Sequence, residues 1–212
     1  LTKKYKNIEV TRAHFCDPDV SSLSFEGQYN TTTRKTFKLT YSNAQDDIEL
    51  SIKSGNSEFA VSPAVINVDC GDYATKTITV SYTPNAIEAD NEILVIKSEK
   101  DGWNKEIPIS TTVSKRSQYI PWEMRDSVAT VQPYTLAEVN PVSGLPITYE
   151  IDDESILTLD EDNRLVFLQV DTAVTIRATC PGNANYNDAE PVEHRIKIFK
   201  GLATLTLPTP EK

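Results

Sequence analysis

The chain has 212 residues, of which 31 are acidic and 21 basic, giving a formal net charge of −10 and a pI near 4.7. That balance argues against a nucleic-acid binder, which needs a basic face to displace counterions from phosphates. Hydrophobic residues at 39% supply enough apolar surface for packed cores and too much for a disordered chain.

The length suggests one large domain or two small ones. No apolar run approaches the roughly 18 residues of a membrane-spanning helix. Residue 1 is Leu and the single methionine is Met124. The sequence therefore reads as a processed product or an excised piece, with any signal sequence or lipid-attachment cysteine outside it.

Along the chain, period-2 alternation dominates and helical periodicity is nearly absent. Phe37, Leu39 and Tyr41 alternate with polar or basic residues, followed by Ile48, Leu50 and Ile52, then Ile66, Val68 and Cys70, then Ile78, Val80 and Tyr82. Ile93 to Lys97 and Glu106 to Val113 flank Asp101-Gly102, which predicts a hairpin turn because Gly tolerates positive φ. Ser54-Gly55-Asn56 and Cys70-Gly71-Asp72 are further turn formers. Each run shows one face to a core and one to water, as antiparallel sheets do. Seven or eight strands in about 115 residues is a β-sandwich count.

Between Ser114 and Gln118 the alternation lapses into a short polar joint that supplies no core residue. It restarts at Tyr119-Ile120-Pro121-Trp122 and runs through Ile147, Tyr149 and Ile151; Leu165 and Phe167; Val174, Ile176, Ala178 and Cys180; and Ile196 and Ile198. Ser143-Gly144-Leu145-Pro146, Asp160 to Asn163 and Pro181-Gly182-Asn183 punctuate it as turns. The expected organisation is all-β, with one sandwich over residues 1–115, a smaller one over 116–201, and a tail 202–212 that is either the cut-off start of a further module or disordered. Each half should fold alone. Acidity is concentrated in the second half, with 14 acidic against 7 basic residues, compared with 16 against 13 in the first.

The three cysteines make neither a disulfide framework nor a metal site, since there is no CxxC pair and only two histidines. A Cys16–Cys70 bridge is open in an oxidising compartment. Cys180 keeps the parity of Val174, Ile176 and Ala178 and reads as a buried filler. His14 lies two residues before Cys16, which invites a thiol–imidazole pair, but no third group that would orient the imidazole is identifiable. Asp152-Asp153-Glu154 and Asp160-Glu161-Asp162-Asn163 offer hard oxygen ligands for Ca²⁺, yet lack the Asp-x-Asp-x-Asp-Gly spacing. Both fall at turns, where Asp and Asn are favoured for bonding their own backbone. No catalytic residue, metal or cofactor is expected.

Trp103 follows the Asp101-Gly102 turn and is expected to project from the hairpin tip, where an indole can stack on a sugar or anchor a protein. It could equally fold back on its own sheet. Trp122 keeps the phase of Ile120 and reads as core. Tyr186, in Asn183-Ala184-Asn185-Tyr186-Asn187, is expected to tie that loop down through its hydroxyl, with ligand contact as the alternative. Asn30-Thr31-Thr32 fits the N-linked sequon.

Ser143-Gly144-Leu145-Pro146-Ile147-Thr148-Tyr149, Ala178-Thr179-Cys180-Pro181-Gly182-Asn183-Ala184-Asn185-Tyr186, Ile120-Pro121-Trp122 and Ile196-Lys197-Ile198 resemble, in order and spacing, the bacterial immunoglobulin-like repeats of invasin-type surface proteins. Cys180 departs from them, since such repeats carry a small or polar residue there. Phe59-Ala60-Val61-Ser62-Pro63 and Ile78-Thr79-Val80-Ser81-Tyr82-Thr83-Pro84 look like the immunoglobulin-like modules of exported proteins of Bacteroidetes-type bacteria. The resemblance implies two tandem immunoglobulin-like antiparallel β-sandwiches, extracellular or at the cell surface, serving as spacer, adhesion or partner-binding unit for a protein or glycan ligand. The alternative is a glycan-binding accessory module of a polysaccharide-capture system. It also implies O-glycan attachment at Ser127 and Thr172, which match the Asp-Ser/Thr-aliphatic pattern of such exported proteins. Fold-level analogy of this kind assigns architecture more firmly than activity.

Overall fold

The computed structural model describes residues 13–69, 73–131 and 133–201. The tail 202–212, the Cys70-Gly71-Asp72 turn and the Cys70 half of the weighed disulfide lie outside the described residues. The described chain is all-β, and it divides into two compact units, residues 1–116 and 117–212.

In the first unit the strands are β1 (Phe15–Pro18), β2 (Leu23–Gln28), β3 (Thr33–Ser42), β4 (Ile48–Ile52), β5 (Phe59–Ser62), β6 (Val65–Ile66), β7 (Tyr73–Tyr82), β8 (Glu92–Ser98) and β9 (Trp103–Ser114). They form a four-stranded sheet, β1-β3-β7-β5, and a five-stranded sheet, β2-β9-β8-β4-β6. The alternating residues supply one core between these two layers. Phe37, Leu39, Ile78 and Val80 come from one sheet, and Phe25, Leu94, Ile96 and Ile107 from the other. The turn at Asp101-Gly102 forms as expected, with Gly102 at φ 68° and its N–H on Glu99 O at 3.2 Å.

The second unit has β10 (Ser127–Ala129), β11 (Thr148–Ile151), β12 (Leu157–Leu159), β13 (Leu165–Phe167), β14 (Thr172–Thr179) and β15 (Val192–Phe199). A four-stranded sheet, β10-β15-β14-β11, and a β12-β13 ribbon contribute to a separate core with Ile120, Trp122, Leu157, Ile176 and Ile196 among its members.

Two features correct the sequence expectation. The sheets are not purely antiparallel, because β2 runs parallel to β9 and β10 parallel to β15. A parallel neighbour needs a long crossover, and in each case a large part of the unit lies between the two strands. Side-chain alternation reports which face is buried and carries no information about a neighbour's direction. The expected polar joint adds no member to either apolar core but does bury one polar side chain, Gln118, at 7% exposure. Its parity with Ile120 and Trp122 was the available signal.

Candidate functional site

Among the described residues of the first unit, Asp101, at the β8–β9 turn, is a densely tied polar group. Its side chain has no exposed surface. Ser98 Oγ donates to Asp101 Oδ2 at 2.6 Å, and the Gln45 N–H reaches Oδ1 and Oδ2 at 3.0 and 3.2 Å. His14 Nε2 lies 2.8 Å from Oδ1. Desolvation alone would push this carboxyl up. The hydrogen bonds from Ser98, His14 and the Gln45 and Asp46 backbone outweigh it and hold the group below the ordinary carboxylate range. One carboxylate thus fastens the segment before β1, the β3–β4 loop and the β8–β9 hairpin together.

The His14–Cys16 pairing suggested by sequence does not form a reactive couple. The His14 ring faces Asp101 and lies 4.7 Å from the Trp103 ring. Cys16 is a buried free thiol whose pKa is pushed up to about 11, chiefly by burial. A thiol at that value carries little thiolate at neutral pH. Asp101 is the orienting group that could not be found from sequence, because it arrives from 87 residues away.

Trp103 does not stand out from a hairpin tip. It opens β9 opposite Ser98, shares the inward parity of Ile107 and Ile109, and packs half-buried against the first core. Tyr186 is 8% exposed, which leaves little surface for a ligand. Bonds of its backbone tie the loop here: its N–H donates to Asn183 Oδ1 at 2.9 Å and its carbonyl accepts the Asn183 N–H at 3.0 Å. Trp103 belongs to the first unit and Tyr186 to the second.

Gln118 organises that second loop. Its Nε2 donates to Asn187 O at 2.8 Å and Pro181 O at 3.4 Å, and its Oε1 accepts from Ser143 Oγ. Ala189 N–H closes the loop on Cys180 O at 3.0 Å. Cys180 is buried beside Gln118, as its parity predicts, and burial raises its pKa.

Ser127 and Thr172 are brought together on the rim of one groove of about 590 Å³, which Lys197 and Phe199 also line. Ser127 is exposed, whereas Thr172 is half-buried and pairs with the buried Ile198. A second open cleft, about 540 Å³, gathers Leu136, Val139, Leu145, Tyr149 and Asn163. The acidic clusters bond backbone. Asp152 Oδ1 accepts the Thr175 N–H, Asp153 Oδ1 the Ser155 N–H, and Asp160 Oδ1 those of Asp162 and Arg164.

Replacing Asp101 by alanine should lower the stability of the first unit by about 2 kcal/mol, since the buried Ser98 hydroxyl, the Gln45 N–H and His14 Nε2 all lose this partner. The site lies close to solvent, which keeps the cost below that of a deep ion pair. The folded pKa is depressed, so this contribution is complete above the unfolded aspartate value of about 3.9 and disappears as pH falls through the folded value. Urea titrations at neutral and acid pH check this. The difference between wild type and Asp101→Ala should shrink below about pH 4.

No family model matches the chain, and no curated protein does. Among solved structures it is similar to SSP-19, an MSP-domain protein of Caenorhabditis elegans, at 19% identity and a TM-score of 0.31 over 45% of this chain and 97% of that one. WR4, an MSP family member of the same nematode, matches at 15% identity and a TM-score of 0.31 over 48% of this chain and 100% of that one. A protein of unknown function from Porphyromonas gingivalis W83 matches at 12% identity and a TM-score of 0.31, over 88% and 99% of the two chains. Likenesses this distant assign no family.

Proposed function

We propose that the chain is a non-catalytic pair of tandem immunoglobulin-like β-sandwiches, part of a larger exported protein of a Bacteroidetes-type bacterium. It acts at the cell surface or outside the cell as a spacer, adhesion or partner-binding unit. The observation that supports this reading is the use made of the reactive side chains. Asp101, His14 and Ser98 serve as a knot between loops, and both described thiols are buried with raised pKa values. Groups committed in this way hold a scaffold together, whereas an active site keeps a nucleophile and its base facing a substrate.

Two separately cored units should behave as two mechanical elements. Pulled between terminal handles, the chain should open in two steps, of roughly 350 Å and 290 Å of contour, at about 3.4 Å per released residue. A single step would overturn the tandem reading. Turnover of chromogenic ester, glycoside or peptide substrates, abolished by a point substitution, would overturn the non-catalytic one. Binding on a glycan array that is lost in Trp103→Ala would move the assignment to a glycan-binding accessory module of a polysaccharide-capture system.

A further inference from the structure

The outer face of the β1-β3-β7-β5 sheet is turned away from the core. Phe37, Leu39 and Tyr41 of β3 are buried, so Thr36, Lys38 and Thr40 point outward, beside Thr79, Thr77 and Thr75 of β7. Thr40 and Thr75 share a hydrogen bond between their hydroxyls at 2.9 Å. Threonine pairs of this kind stabilise a sheet and need no ligand to account for them. The charge of the face and one of its rings are another matter.

The four strands of this sheet carry four basic residues, Arg34, Lys35, Lys38 and Lys76, against one acidic residue, Asp17. The five strands of the other sheet carry two basic residues and four acidic ones, so the charge is divided between the layers. All four bases are exposed, and none has a carboxylate partner among the described residues. Asp17 lies 3.9 Å from Lys105, and the nearby Asp19 accepts the Lys38 backbone N–H at 2.7 Å. A chain of net charge −10 thus keeps one locally positive face whose cations are free. Tyr73 stands on the same face, in one row with Ser42 and Phe15 across the sheet. It is 67% exposed and rests edge-on against Phe15 at 6.5 Å. A ring propped on one side and open on the other is a stacking surface.

Strand geometry sets the spacing of these groups. Lys38 lies four residues from the Tyr73 row and Arg34 four further on, so the three span about 27 Å along β3. A track of that length suits an extended polymer better than a small ligand. Threonine hydroxyls both donate and accept, which matches the hydroxyls of a sugar chain, and an open tyrosine ring matches the face of a sugar. Lys38 and Arg34 match anionic groups spaced along the polymer. A nucleic acid carries a charge about every 1.7 Å, too dense for two cations on so acidic a chain. We propose that this face binds an extended polysaccharide bearing carboxylate groups, through Tyr73, Lys38 and Arg34 over the threonine lining. The proposal rests on the partner-binding reading of the chain and names the class of partner.

The test is calorimetric titration of the full chain with polygalacturonate and alginate, with uncharged dextran and poly-glutamate as comparisons. The two acidic polysaccharides should bind at low salt and weaken in about 0.5 M NaCl, because exposed charges are screened. Arg34→Gln/Lys38→Gln and Tyr73→Ala should each weaken binding about tenfold. Tyr73→Phe should keep it, since the ring remains, and Trp103→Ala should leave it unchanged. The substituted residues of this face are exposed, so their variants should melt within about 3 °C of wild type, which separates lost binding from lost fold. Binding of neither acidic polysaccharide would overturn the proposal and leave the spacer reading standing, since two-step unfolding does not depend on a ligand. Poly-glutamate bound as tightly as polygalacturonate would overturn it in favour of a general polyanion surface. Undiminished binding by the combined Arg34→Gln/Lys38→Gln/Tyr73→Ala variant would overturn it by placing the site elsewhere.

Discussion

Trp122→Ala should remove about 4 kcal/mol from the second unit, near the middle of the range for deleting a buried large aromatic. The indole is 3% exposed and meets Tyr149 at 5.2 Å and His194 at 4.6 Å, both edge-on. His194 Nε2 also lies 3.3 Å from the Trp122 carbonyl, so the ring is held along with the backbone that carries it. The resulting cavity has little means of collapse, because Ile176 and Ile196 in the same core belong to paired strands. The experiment has a built-in control. The chain holds two tryptophans, and the one left, Trp103, lies in the first unit. Urea unfolding followed by Trp103 fluorescence should be unchanged, while a far-UV transition moves to lower denaturant. A loss under about 1 kcal/mol would mean that the ring is peripheral to its core.

Gly182→Ala should cost about 3 kcal/mol, at the upper end of overpacking penalties. A Cβ at Gly182 would lie 2.3 Å from Tyr186 O, 2.6 Å from the Asn187 carbonyl carbon and 2.8 Å from Asp188 N. These are backbone atoms of the loop that Gly182 itself closes, through its N–H to Asp188 Oδ1 at 2.7 Å. Relief requires the loop to open, which takes Pro181 O and Asn187 O away from the buried Gln118 amide. Gly144→Ala is the comparison. Gly144 sits at φ 67° with nothing within 4 Å of its added Cβ, so only backbone strain of about 1 kcal/mol applies. In a Trp103→Phe background, Trp122 fluorescence reads the second unit alone. Equal losses for the two glycine variants would refute the steric account.

The reading of Trp122 as core and of Trp103 as a hairpin-tip residue differ in an instructive way. Both tryptophans share the parity of buried neighbours, Ile120 in one case and Ile107 and Ile109 in the other. For Trp103 the adjacent turn was given more weight than the parity, and the structure follows the parity. The same rule would have identified Gln118, which the polar run around it concealed. β1 and β2 went unremarked because Asp17, Pro18 and Gly27 obscure alternation that Leu23 and Phe25 still carry.

Spacing within the chain therefore determined the all-β class, most core positions, the turns at Gly102 and Gly144, and the break between two cores. These are local properties: a side chain's face follows from its parity, and a turn from the residues that tolerate it. Tertiary structure alone decided the parallel pairings at β9 and β15 and the partners of Asp101 and Gln118. Gln45 and Asp101 stand 56 residues apart, and Gln118 and Asn187 stand 69 apart. A hydrogen bond across such a separation depends on the register of every strand between its ends, and no local pattern records that.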